Sequence, residues 1–144
     1  MSEQNYSNHR RIDPGFHVVL FLLMLVTLIG SVINLYHSWG VEGRFYSAAL
    51  LVATLVALFL ATFYARLYAL KAQDRAIRAE ENLRHFVLTG ELLDSRLTTR
   101  QIIGLRFAAD DEFLTLAKSA AESGTPEKEI KQSIQTWRPD NYRV

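Results

Sequence analysis

Apolar residues run without a charged interruption from Phe16 to Tyr36, and again from about Phe45 to Ala65. A helix of that length measures about 31 Å, enough to cross a bilayer core of about 30 Å. Only His37–Arg44 separates the two runs, and Gly40 and Gly43 within it suit a tight reversal. The pattern predicts a helical hairpin with two transmembrane spans, 16–36 and 45–65. Pro14 stands at the start of the first helix, where its missing N–H costs nothing. The first run is too long for a signal peptide, has no A-x-A-like site near its end and is followed by a second span, so it reads as an uncleaved anchor.

The second helix does not stop at the edge of the apolar run. No Gly or Pro occurs from Ser47 to Thr89, and Arg66–Leu88 is rich in Ala, Leu, Arg, Glu and Gln, which are good helix formers. Gly90 then stands where a terminator is expected. One helix from about Phe45 to Thr89 follows, about 67 Å long, half of it projecting beyond the membrane. After Gly90 the sequence predicts three short helices. Thr98 and Gln101 form a capping box that opens the first, to about Ala108. Asp110, Asp111 and Glu112 open the second, which stops at Gly124. Thr125 caps the third, with Pro126 at its first position, running to about Trp137.

The fold expected is therefore an all-α membrane protein: a two-helix transmembrane hairpin, its second helix extended into the cytoplasm, then a small three-helix C-terminal unit. The segments are 1–15 (N-terminal, cytoplasmic), 16–65 (hairpin), 66–90 (helix extension) and 91–144 (helical unit). A unit of about 50 residues has a marginal core, so it is expected to dock on Leu83, Phe86 and Val87 of the long helix.

Small residues on that helix are ordered. Ala49, Ala53, Ala57, Ala61, Ala65 and Ala69 recur every four residues, a spacing that lets helices approach closely in lipid. Beyond Ala65 the spacing becomes 4-3-4-3 through Ala69, Ala72, Ala76, Ala79, Leu83 and Phe86, a heptad seam carried into water. Inside the membrane the first span is expected to cover this stripe with Thr27, Ser31 and Asn34, and Gly30 beside them. Outside it the seam needs the C-terminal segment or a second subunit. Another face carries Tyr64, Tyr68, Lys71, Arg75 and Arg78, a pattern suited to anionic headgroups and equally to ordinary flanking charge. Asp74, Glu80 and Glu81 read as solvated, and Glu81 with His85 as a surface pair.

Composition sharpens the division. Residues 14–65 hold only two charged residues, Glu42 and Arg44, whereas 66–144 hold 25 of the 31. A chain that is 49% hydrophobic and 22% charged therefore contains a lipid-like third. Lys and Arg near the spans set orientation: Arg10 and Arg11 before the first, Arg66, Lys71, Arg75 and Arg78 after the second, against Arg44 alone in the loop. Both termini are expected to be cytoplasmic. The formal net charge is +1, and 91–144 carries eight cations against nine anions, so no nucleic-acid partner is inferred. Cysteine is absent, which removes thiol chemistry. No phosphate loop, dinucleotide fingerprint, nucleophile elbow or zinc-protease motif occurs. No catalytic residue, cofactor, metal or small-molecule substrate is expected; Asp110–Glu112 read as capping.

Two stretches are distinctive: Asn5-Tyr6-Ser7-Asn8-His9-Arg10-Arg11, and Leu70-Lys71-Ala72-Gln73-Asp74-Arg75-Ala76-Ile77-Arg78-Ala79-Glu80-Glu81-Asn82-Leu83-Arg84. With Arg106-Phe107-Ala108-Ala109-Asp110-Asp111-Glu112-Phe113, they make nearly the whole chain resemble a family of small two-span bacterial inner-membrane proteins of unknown function. The resemblance implies a bacterial inner-membrane location and brings no activity or site residue. The sequence favours a non-enzymatic assembly or accessory subunit, self-associated or held in a larger membrane complex, with membrane lipid around it. A small channel or transporter component, or an anionic-lipid surface sensor, are the alternatives.

Overall fold

The computed structural model describes residues 4–9 and 12–140; the basic pair Arg10 and Arg11 lies outside the described residues. All regular elements described are helical: a π-helical turn Gly15–Leu20 running into α1 (Phe21–His37), then α2 (Arg44–Thr89), α3 (Thr99–Leu105), α4 (Asp110–Ser123) and α5 (Glu127–Ser133). They fall into two compact units, 12–69, and 4–9 together with 70–140. α2 contributes to both.

In the first unit, the Asp13 carboxylate accepts from the Phe16 N–H at 3.2 Å, satisfying a donor that the helix start leaves open. The following turn is π-helical rather than α-helical. Gly40 and Gly43, both with positive φ (76° and 79°), make the reversal after α1, a backbone that glycine adopts without cost. The helical stretch Gly15–His37 and α2 are each long and apolar enough to cross a membrane.

The two helices do not meet along the alanine stripe. α1 buries Met24 and Ser31, and α2 buries Ala48, with Val52, Leu55, Phe59, Thr62 and Arg66 half-buried behind it. The Phe21 and Phe59 rings meet edge to face at 6.0 Å, and the Arg66 guanidinium lies 5.7 Å above the Phe16 ring. The expected covering by Thr27, Ser31 and Asn34 is thus corrected: only Ser31 is buried, and Thr27, Gly30 and Asn34 are exposed. The larger side chains at 52, 55, 59 and 62 offer more contact area than methyl groups do. Thr27 donates to the Leu23 carbonyl at 2.8 Å and Ser31 to that of Leu28 at 2.8 Å, so both hydroxyls are spent on their own helix.

The second unit has its core among α3, α4 and α5, where Leu97, Ile102, Leu105, Phe107, Phe113 and Ile130 are buried. The capping box is present: Thr98 Oγ1 accepts from Gln101 N, and Gln101 Oε1 accepts from Thr98 N at 2.8 Å. Gly104 lets α3 lie against α5; a Cβ there would come within 3.3 Å of the Glu127 carbonyl oxygen. Gly90 and Gly124 end α2 and α4 with φ of 80° and 69°, as the Gly-terminated helix pattern requires.

Two boundaries differ from expectation. α3 ends at Leu105 rather than Ala108, and α5 at Ser133 rather than Trp137. The freed ends pair with each other. Ala108 and Trp137 form an isolated antiparallel bridge, with Arg138 N donating to Phe107 O at 2.7 Å and Ala109 N to Thr136 O at 3.1 Å. The Glu112 carboxylate secures the returning segment by accepting from Gln135 N and Thr136 N at 3.1 and 3.0 Å. Thr125 does not cap α5, which has no side-chain cap; its hydroxyl pairs with that of Ser123 at 2.6 Å.

Gln101 does more than cap. Its Nε2 donates to the Ala120 and Thr125 carbonyls at 3.1 and 3.0 Å, joining the end of α4 to the start of α5. Gln101→Leu removes the partner of the Thr98 N–H and donors to the Thr125 and buried Ala120 carbonyls, and is expected to cost about 1–3 kcal/mol. Hydrogen exchange of the α4 amides in detergent-solubilised protein reads this. Arg100→Leu, at an 82% exposed side chain, is expected to leave the exchange unchanged.

Candidate functional site: the faces of the long helix

Beyond residue 70, α2 presents three faces of different character. The first packs on the C-terminal helices. Ile77 is 6% exposed and Glu81 5%. Arg84, with a side chain only 10% exposed, is the centre of this contact. Its Nη1 donates to Glu81 Oε2 at 3.0 Å, its Nε to Asp110 Oδ1 at 2.7 Å, and its Nη2 to the Ala108 carbonyl at 2.8 Å. The guanidinium plane lies 4.2 Å above the Phe113 ring, a cation–π geometry. Only a planar fork fills these positions together, and a lysine cannot.

Neighbouring side chains extend the contact. Leu93 N donates to Asn82 Oδ1 at 2.9 Å. His85 Nδ1 donates to the Glu91 carbonyl at 2.8 Å, and its ring stands 6.2 Å from that of Phe113. Past this loop, Arg96 grips Asp94 from Nε and Nη2 at 3.0 and 2.6 Å and holds its carboxyl down to about 2.

These contacts correct three expectations. The C-terminal unit does not dock on Leu83, Phe86 and Val87, which are 63%, 49% and 74% exposed. Glu81 is not solvated; it lies between Arg84 and Arg138, the latter at 3.7 Å. Its partner is Arg84 rather than His85. Asp110 and Glu112 serve as acceptors for Arg84 and for the 135–136 backbone, beyond their place in the first turn of α4. Asp74, half-buried, and Glu80, exposed, sit to either side of this contact.

The second face is the heptad seam. Ala72, Ala76, Ala79, Leu83 and Phe86 are all exposed. In the other unit, Ala53, Ala57, Ala61 and Ala65 are exposed, and Ala49 and Ala69 half-buried. The third face is basic. Lys71, Arg75 and Arg78 are exposed. Tyr64 and Tyr68, which belong to the first unit, stack with ring centres 6.0 Å apart.

Two cavities accompany these faces. In the first unit a space of about 190 Å³ opens between the helices, walled by Phe16, Leu20, Met24, Phe59 and Arg66 among others. In the second, about 390 Å³ lies beside Gln73, Ile77, Glu81, Arg106 and Asp140, where Arg106 Nε pairs with Asp140 Oδ2 at 2.9 Å. Among the described residues, no group of three or more His, Asp or Glu is placed to hold a metal ion.

The N-terminal segment adds an element that sequence reasoning missed. The His9 ring sits 5.7 Å from Phe107 and 5.8 Å from Trp137, and Asp140 N donates to Gln4 Oε1 at 2.7 Å. Residues 4–9 thus pack on the C-terminal helices. Nothing in the periodicity of so short a segment signals this; the Tyr6–His9 spacing, whose rings stack at 5.7 Å, is the only local hint.

The chain belongs to DUF6526, a family of unknown function whose model matches residues 1–144. No curated protein and no solved structure matches it.

Removing the central guanidinium tests the first face. Arg84→Leu leaves the buried Glu81 with only its distant partner, and breaking a buried pair costs about 3–5 kcal/mol. Limited proteolysis within 91–98 is expected to accelerate strongly. Arg84→Lys is expected to rescue only part of the protection.

Proposed function

We propose that this chain is a non-enzymatic integral membrane protein of the bacterial inner membrane, an assembly or accessory subunit that works through helix–helix packing. It crosses the membrane twice, at about 16–36 and 45–65, with both termini in the cytoplasm and the C-terminal helices presented there.

The observation that carries this reading is exposed apolar surface. In the most apolar 18-residue window of each long helix, only 11% and 6% of the residues are buried. The core helix of a water-soluble domain would be mostly covered, and contiguous exposed apolar surface on this scale demands lipid or a partner. The N-terminal segment supports an even number of crossings, because residues 4–9 pack in the same unit as 70–140. The excess of Lys and Arg flanking the spans, against Arg44 alone in the loop, supports a cytoplasmic location for that unit. The assembly role is supported by the exposed seam from Ala72 to Phe86, which the chain's own helices leave uncovered.

Reporter fusions test the topology. Green fluorescent protein joined after Val144 is expected to fluoresce, and alkaline phosphatase at the same place to stay inactive; the opposite pair overturns the orientation. Chemical crosslinking in membranes followed by mild detergent extraction tests assembly. Multimers or a co-purifying partner are expected. A strict monomer with nothing attached overturns the assembly role.

A further inference from the structure

We propose that the α2 face bearing Leu83 and Phe86 docks on the same face of a second copy of this chain, as a parallel, in-register coiled coil over residues 72–86. The proposal rests on the membrane-assembly reading and names its partner.

It begins from large apolar side chains left in the open. Leu83 is 63% exposed, Phe86 49% and Val87 74%. The chain's own C-terminal helices lie on the other side of α2, against Ile77, Glu81 and Arg84. At 100° per residue that contact is centred about 125° around the helix from Leu83, and the seam side chains are exposed. The exposed positions 72, 76, 79, 83 and 86 step by four and three alternately. This is the spacing that keeps heptad positions aimed at a partner helix.

Charge selects the partner. With Ala76 and Leu83 at position a, and Ala72, Ala79 and Phe86 at d, Arg75 occupies a g position and Glu80 the next e. Both are exposed. In a parallel pair, g of one helix faces the e five residues further along the other. Arg75 therefore meets Glu80 of the second copy, and two-fold symmetry makes the same pair again. The chain supplies both halves of the match. Two hairpins inserted in one membrane necessarily run in the same direction, so the arrangement that pairs these charges is also the one that the membrane imposes.

The chain has no cysteine, so single cysteines report cleanly. Full-length Ala72→Cys, Ala76→Cys and Ala79→Cys, oxidised mildly in native membranes, are expected to form disulfide-linked dimers. Arg78→Cys, outside the seam, is expected to yield several-fold less. In the Ala79→Cys background, Arg75→Glu and Glu80→Arg each bring like charges together twice. Each is expected to lower the dimer yield by about three- to tenfold, and the two together to restore it. Seam cysteines that link no better than Arg78→Cys overturn the proposal. So does a double exchange that stays as low as the single ones, the result expected if Arg75 serves lipid headgroups instead. If an amine-reactive crosslinker still traps multimers in those cases, the pairing fails and the assembly role stands. A strict monomer under every condition sinks both.

Discussion

A single guanidinium organises the part of this molecule beyond residue 70. Arg84 projects from the last turns of α2, and its side chain is almost fully covered. Burial of a charge is tolerated only when every donor finds an acceptor. Two carboxylates, one carbonyl and one aromatic face satisfy it. These acceptors come from α2 itself and from the junction of α3 and α4, so the guanidinium fixes where the C-terminal helices sit on the long one. That choice decides which side of α2 is left uncovered. A hydrophobic anchor at Leu83 and Phe86 would have hidden the seam; a polar anchor on the opposite side leaves it open.

The hairpin shows a related division of labour. Val52, Leu55 and Phe59 are half-buried, Phe59 against Phe21 of α1, while Ala53, Ala57, Ala61 and Ala65 are exposed. Small side chains at four-residue spacing are of little use against a neighbour held at the distance that Phe21 and Phe59 impose. They suit a closer approach by another helix. In both units, therefore, intramolecular contacts use a large or charged face of α2 and leave the alanine-bearing one exposed.

Much of the fold was legible because local signals and tertiary demands agree. The long uninterrupted helix ends at Gly90, the Thr98–Gln101 capping box opens α3, and Gly124 closes α4. The errors arose where tertiary pairing overrode local preference. Residues 134–137 continue a plausible helical pattern, yet an extended backbone there reaches Phe107 and Ala109 and satisfies the Glu112 carboxylate. The alanine seam was legible as a periodicity. Which face the C-terminal helices occupy was not, because Glu81, Arg84 and His85 carry the polar signature of a solvated surface. Their burial depends on partners that lie 24 or more residues away for Arg84. The packing of His9 on Phe107 and Trp137 was equally invisible, since one short turn has no period to read.

That N-terminal packing bears on how the polypeptide is made. Gln4 and Asp140 are separated by 136 positions, and the rings around His9 come from Phe107 and Trp137. During synthesis residues 4–9 are made well before Phe107, Trp137 and Asp140, so these contacts close only once the ribosome has passed position 140. A nascent chain interrupted before Trp137 lacks one of the rings that cover His9.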